Sequence, residues 1–167
     1  MKEIMLRRSV RKFKNEPVSD QMLEKLLRAA MRAPSAGNEQ PWEFVIIRDR
    51  EQLDQMLATN RYYGPLQSAP CAIVVCGNKQ RQVYPADFWP QDCAAATQNL
   101  LIEAQHLGLG AVWQAAFPDP KRVGRVSAQL GLPEHVIPLN VIAVGHPEET
   151  PEPMDTFQPD RIHYETW

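Results

Sequence analysis

Cysteine is scarce in this 167-residue chain, and Cys71, Cys76 and Cys93 share no C-x-x-C spacing. An odd count without that pattern argues against a disulfide framework or a zinc ribbon. It makes a reducing cytoplasm the expected compartment. No apolar run approaches the ~20 residues of a membrane span. The first apolar run, Ile4-Met5-Leu6, is too short for the core of a secretory signal, so no membrane association is expected. Bulk charge is also lacking. A net charge of -2 gives no global attraction to a polyanion. His106, His135, His146 and His163 show no metal-ligand spacing, and no nucleophile stands beside a base. No metal site and no acid–base catalytic residue are therefore expected. A Gly-rich dinucleotide fingerprint is missing too, so a nicotinamide nucleotide would bind only transiently.

What is present is an ordinary globular balance, 44% hydrophobic and 23% charged, in a length that suits one domain. The first fourteen residues carry Lys2, Arg7, Arg8, Arg11, Lys12 and Lys14 against the single acid Glu3. That is a local anion-attracting patch on a mildly acidic protein. A short helix is expected over residues 2–8. Ser19 and Asp20 read as a helix start, with Val18 placed to pack on Leu23 as a staple. Met22, Leu23, Leu26, Leu27 and Ala30 fall on one helical face, and Pro34 ends the run. Further helices are expected over residues 50–58, from about Pro90 to Leu107, and from Asp119-Pro120 to Gly131. Strands are expected at Phe44–Ile47, Cys71–Cys76, Gly110–Ala116 and Leu139–Val144. The periodicities describe a sheet covered on both faces but leave strand order open. After Gly145, prolines among acids form a tail that cannot build its own core. It is either a loose linker or an arm laid on another surface.

Two segments carry chemistry. Arg7-Arg8-Ser9-Val10-Arg11 sets three guanidiniums and a hydroxyl within five residues, a donor set that suits a phosphate. By itself it also fits a solvated basic terminus or a nonspecific nucleic-acid patch. Ala33-Pro34-Ser35-Ala36-Gly37-Asn38-Glu39-Gln40-Pro41-Trp42 is a loop of small residues and amides. Such a rim can meet a planar heterocycle through close backbone approach and side-chain donors. An ordinary loop with Trp42 in the core fits as well. Tyr62-Tyr63 and Phe88-Trp89 read first as core or interface packing.

In combination these segments become specific. The chain resembles the FMN-dependent nitroreductase family, in one of its shorter versions. The resemblance rests on Arg7-Arg8-Ser9-Val10-Arg11 with Phe13, then on Pro34-Ser35 with Asn38, Gln40, Pro41 and Trp42. It continues through Gln98-Asn99 and Gly108-Leu109-Gly110 with Trp113. Leu130-Gly131-Leu132-Pro133, Ala143-Val144-Gly145-His146-Pro147 and Arg161 complete it. Their order spans nearly the whole chain.

That resemblance implies an α+β fold: a mixed, mainly antiparallel sheet of four to five strands with helices on both faces. It implies an intertwined homodimer in which residues 147–167 form an arm wrapping the partner subunit. Arg7, Ser9 and Arg11 would hold the FMN phosphate and ribityl chain, with Arg8 close by and Arg161 returning to the phosphate. Pro34, Ser35, Ala36, Asn38 and Gln40 would line the flavin ring from the partner. Gln114, Ala115 and Ala116 would place backbone groups near the ring's reactive edge, although this triplet lacks the glycine often found there. NADH or NADPH would be the transient donor, and a nitroaromatic or quinone the small acceptor. The stretch between Gly77 and Trp89 is too short for the covering helices of larger members. Two other functions compete. A flavin carrier or sensor would stay yellow when NADH or NADPH is added. A nucleic-acid module would bind with strong salt dependence and no flavin; the acidic net charge and the lack of interleaved exposed aromatics near residues 7–14 argue against it.

Overall fold

The computed structural model describes residues 2–167. Four strands, β1 (Trp42–Ile47), β2 (Cys71–Asn78), β3 (Gly110–Ala115) and β4 (Val136–Gly145), form one sheet in the order β1-β2-β4-β3. All three ladders are antiparallel. The parallel component is a single bridge, Ser9 to Ala111, where the basic segment runs along the outside of β3. Five helices surround the sheet: α1 (Lys2–Leu6), α2 (Asp20–Ala30), α3 (Arg50–Thr59), α4 (Trp89–His106) and α5 (Pro120–Leu130).

The alternation along β2 divides the core. Cys71, Ile73 and Val75 join Leu23, Leu26 and Ala30 of α2 and Ala96, Leu100 and Ala104 of α4. Ala72, Val74 and Cys76 pack with Leu53 and Met56 of α3 and Val126 of α5. A strand buried on both faces reads as a continuous apolar run, as residues 71–76 do. Capping follows the expected chemistry. Ser19 Oγ accepts from Met22 N–H at 3.3 Å, and Val18 is buried in the same cluster as Leu23. Asp119 Oδ1 accepts from Lys121 N–H and Arg122 N–H, at 2.9 and 3.3 Å. Gly108 and Gly131 follow α4 and α5 with φ of 71° and 61°, the left-handed conformation that glycine adopts without strain.

Helices α2 and α4 are joined by Asn99 Nδ2, which donates to Ala29 O at 3.2 Å. Asn140 Nδ2 donates to Thr97 Oγ1 at 3.0 Å and ties α4 to the sheet. Beyond β4 the chain makes a bridge from Pro147 to Phe13, and Glu148 N–H donates to Lys12 O at 3.0 Å. From Glu152 to Trp167 every residue is exposed.

Candidate active site

The basic segment is positioned by the sheet edge. Val10 N–H donates to Ala111 O at 3.1 Å, and the Val10 side chain is buried. This anchor sets Arg11 beside the end of β3. A groove of about 510 Å³ runs there, lined by Arg11, Gln114, Ala115, Arg61, Tyr62 and Arg122 among others. Gln114 is 5% exposed. Its Nε2 donates to Val141 O at 3.3 Å, while its Oε1 has no partner among the described residues. A buried carbonyl oxygen without a partner is costly. Among the described residues the Arg11 guanidinium reaches only the nearby Ser9 carbonyl, through Nη1 at 3.4 Å. Its exposed guanidinium thus keeps donors for an anion.

The other expected residues are distributed differently. Arg7 and Ser9 are half-buried on the same segment. Arg8 points the other way. Its Nε and Nη2 donate to the carbonyls of Glu152 and Met154, at 2.9 and 3.1 Å, and so fasten the root of the C-terminal segment. Ala116 is buried, and its N–H is already given to Leu139 O at 3.0 Å. Of that triplet, Gln114 and Ala115 line the groove. Arg161 sits in a short 3-10 turn, Pro159–Arg161, and is exposed.

The loop from Pro34 to Gln40 lies apart from the Arg11 groove. Its backbone is held from below by two buried acids. Asp92 Oδ1 accepts from Ala36 N–H at 3.0 Å. Glu39 Oε1 accepts from Val83 N–H and Tyr84 N–H, at 2.6 and 2.9 Å. Ser35 Oγ accepts from Gln40 N–H at 3.0 Å. Gly37, Asn38 and Gln40 all have positive φ, 50°, 58° and 47°. For Asn38 and Gln40 this is uncommon backbone, and strained backbone gathers at ligand sites. Pro34, Asn38 and Gln40 are exposed, so within one chain the rim of this loop meets solvent. Burial pushes the Asp92 carboxyl above the ordinary value, and the charge of Glu39 adds to that. Trp42 is buried core, as are Tyr63 and Trp89.

Sequence reading missed Arg61 and Arg122. They are 61 residues apart in the chain, Arg61 just after α3 and Arg122 on α5, and both lie over the Tyr62 ring, a meeting no local spacing announces. The three thiols are inert by environment. Burial pushes Cys71 and Cys76 up to about 12, and Cys93 higher still.

Two overlapping stretches, residues 4–60 and 58–146, match the model of the nitroreductase family. The chain belongs to the nitroreductase family. A protein of Archaeoglobus fulgidus, provisionally named as an NADH dehydrogenase/NAD(P)H nitroreductase, is 44% identical over 170 residues. That alignment covers 100% of this chain and 98% of the relative. A crystal structure from Parabacteroides distasonis under the same provisional name superposes with a TM-score of 0.95. Its identity is 43%, and the match covers 99% of this chain and 97% of that one. A provisionally named nitroreductase of Desulfovibrio desulfuricans, crystallised in complex with FMN, gives a TM-score of 0.85. It is 30% identical, with 99% and 96% of the two chains covered. The family model stops at residue 146, a few residues before the exposed stretch that begins at Glu152.

Proposed function

We propose that this chain is an FMN-dependent oxidoreductase that takes a hydride from NAD(P)H and passes it to a small acceptor such as a nitroaromatic or quinone. The observation that carries this is the groove lined by Arg11, Gln114 and Ala115, in a chain of the nitroreductase family. A polar heterocycle with a phosphate tail matches that donor and acceptor set. When bound, FMN supplies the hydride chemistry, and the protein supplies binding, orientation and electrostatics. Arg7, Ser9 and Arg11 would hold the phosphate and ribityl chain, with Arg161 returning from the C-terminal segment. Gln114 and Ala115 would border the ring. Cations at the groove, Arg11, Arg61 and Arg122, would stabilise negative charge arriving there, as preorganised donors do in other active sites.

The same reading makes the molecule a single domain that works as a cytoplasmic homodimer, residues 147–167 wrapping the partner. Its support is the apolar surface stranded on that segment: Met154, Phe157, Ile162, Tyr164 and Trp167 are all exposed. The loop of Pro34, Ser35, Ala36, Asn38 and Gln40 fits the same arrangement, because its exposed Pro34, Asn38 and Gln40, away from the loop's own groove, are available to another copy. Three buried free thiols suit a reducing compartment.

The test is spectroscopic. The purified protein, incubated with FMN and freed of excess, should be yellow and should bleach rapidly under anaerobic NADH or NADPH. A stable yellow spectrum would indicate a carrier, and a colourless protein would remove the flavin altogether. Replacing Arg7 and Arg11 together with Ala should weaken FMN binding by on the order of a hundredfold, since each charge-assisted contact is worth about 1.5–3 kcal/mol. Unchanged affinity by fluorescence titration would put the phosphate elsewhere.

A further inference from the structure

The groove beside Ala115 does not stand alone. Arg61, Tyr62 and Arg122 also line an adjoining cavity of about 680 Å³, which reaches over Asn60, Lys121 and Arg125. Four cations, Arg61, Lys121, Arg122 and Arg125, meet one acid there, Asp119. That acid is already engaged. Its Oδ1 caps α5, and its Oδ2 pairs with Arg122 Nε at 3.1 Å. Tyr62 fixes two of the cations. The guanidinium carbons of Arg61 and Arg122 lie 4.7 and 4.9 Å from its ring centroid. Arg61 Nη2 also donates to the Tyr62 hydroxyl at 2.6 Å. Arg125 Nη1 donates to Thr59 O at 2.8 Å, which holds α5 against the end of α3. Lys121 has no side-chain partner among the described residues.

Like charges gathered this closely repel, and one carboxylate does not offset four cations. An anion of about two charges, such as a phosphomonoester, would relieve that repulsion. The two nicotinamide donors differ by one such group, the 2′-phosphate on the adenosine ribose. A hydride donor must lay its nicotinamide in the groove, and its adenosine half must then extend out of it. The cationic cavity shares three side chains with that groove. Resting on the flavin reading above, we propose that Arg61, Lys121, Arg122 and Arg125 recognise the 2′-phosphate, so that the donor is NADPH rather than NADH. Arg near an adenosine ribose serves this purpose in other nucleotide folds. Asp119 already satisfies the first amides of α5, so side chains rather than the helix end hold the phosphate.

Titration calorimetry on the intact protein, with adenosine 2′,5′-bisphosphate and adenosine 5′-monophosphate as probes, tests this directly. The bisphosphate should bind at least about tenfold tighter, an advantage that shrinks as salt rises. Lys121→Gln, with an unchanged melting temperature, should remove about tenfold of that advantage and leave the monophosphate unaffected. In turnover it should raise KM for NADPH and leave KM for NADH alone. Equal affinity of the wild-type protein for the two nucleotides overturns the proposal, whether or not the variant folds. Failure of the flavin reading shows separately, as a protein that stays colourless after FMN.

Discussion

At Asp92 a carboxylate sits at 6% exposure with one oxygen given to Ala36 N–H and the other, Oδ2, without a partner. Desolvation is the larger influence and raises its pKa above 3.8; the Ala36 hydrogen bond works against it. The sign of the stability effect follows. A raised folded pKa means that the native state holds its proton more tightly than the unfolded chain does. Stability is therefore lost as pH climbs from about 3.8 through the folded value, and the loss persists at neutral pH. Asp92→Asn keeps an oxygen for Ala36 and cannot ionise. The melting temperature of Asp92→Asn, relative to wild type, should therefore be higher at pH 7 than at pH 4. Equal differences at the two pH values in scanning calorimetry would mean that the carboxyl carries no burial penalty. Asp92 was invisible in the sequence because α4 reads there as an apolar helix, and only the fold brings its carboxyl beneath Ala36. Arg8 illustrates the opposite limit. Its place in the basic motif was legible, but its direction, toward the Glu152 and Met154 carbonyls, depends on a segment more than 140 residues away.

Among the elements, α2 allows two forces to be weighed. Its cap is Ser19, worth about 0.5–2 kcal/mol against Ala. Its packing includes Leu26, which is fully buried against α4 and the sheet; removing such a side chain costs about 2–5 kcal/mol. Urea melts should therefore rank Leu26→Ala as clearly more destabilising than Ser19→Ala. The reverse order, or a negligible Leu26 effect, would mean that the helix stands on local signals rather than on its buried face. Those local signals nevertheless sufficed to locate the elements. Caps, proline stops and the left-handed glycines set most helix ends within a residue or two of their observed places. Strand β4 was the exception. Its start was expected at Leu139, but it begins at Val136. Pro138 reads as a breaker, yet it pairs with Cys76 next to a shift in register between Val75 and Cys76. A bulge is where a strand tolerates proline, and no single-sequence spacing reveals one. Strand order was equally hidden, because each strand's pattern is satisfied by any partner that covers both faces.

For the whole molecule, the partition is between what one chain holds and what the proposed dimer would cover. One chain builds the sheet, the groove and the anchored root of its C-terminal segment. It leaves residues 152–167 exposed, with Phe157, Tyr164 and Trp167 at 71%, 81% and 100%. Burying several such aromatics would contribute about 1.5–3 kcal/mol each, enough for the segment to bind a neighbouring subunit. If the segment wraps a partner and Arg161 returns to a shared phosphate, assembly and flavin binding are linked equilibria. A chain ended after Met154 separates the possibilities. It keeps the Arg8 contacts to Glu152 and Met154 and loses only the part with no home of its own. Light scattering should then show the mass of one chain in place of two, and FMN affinity measured on the same sample should fall with it. Added FMN should pull the full-length protein further toward the dimer at low concentration. A truncated protein that remains dimeric and binds FMN undiminished would leave the exposed aromatics without a role in assembly, and the phosphate site would then have to be complete without Arg161.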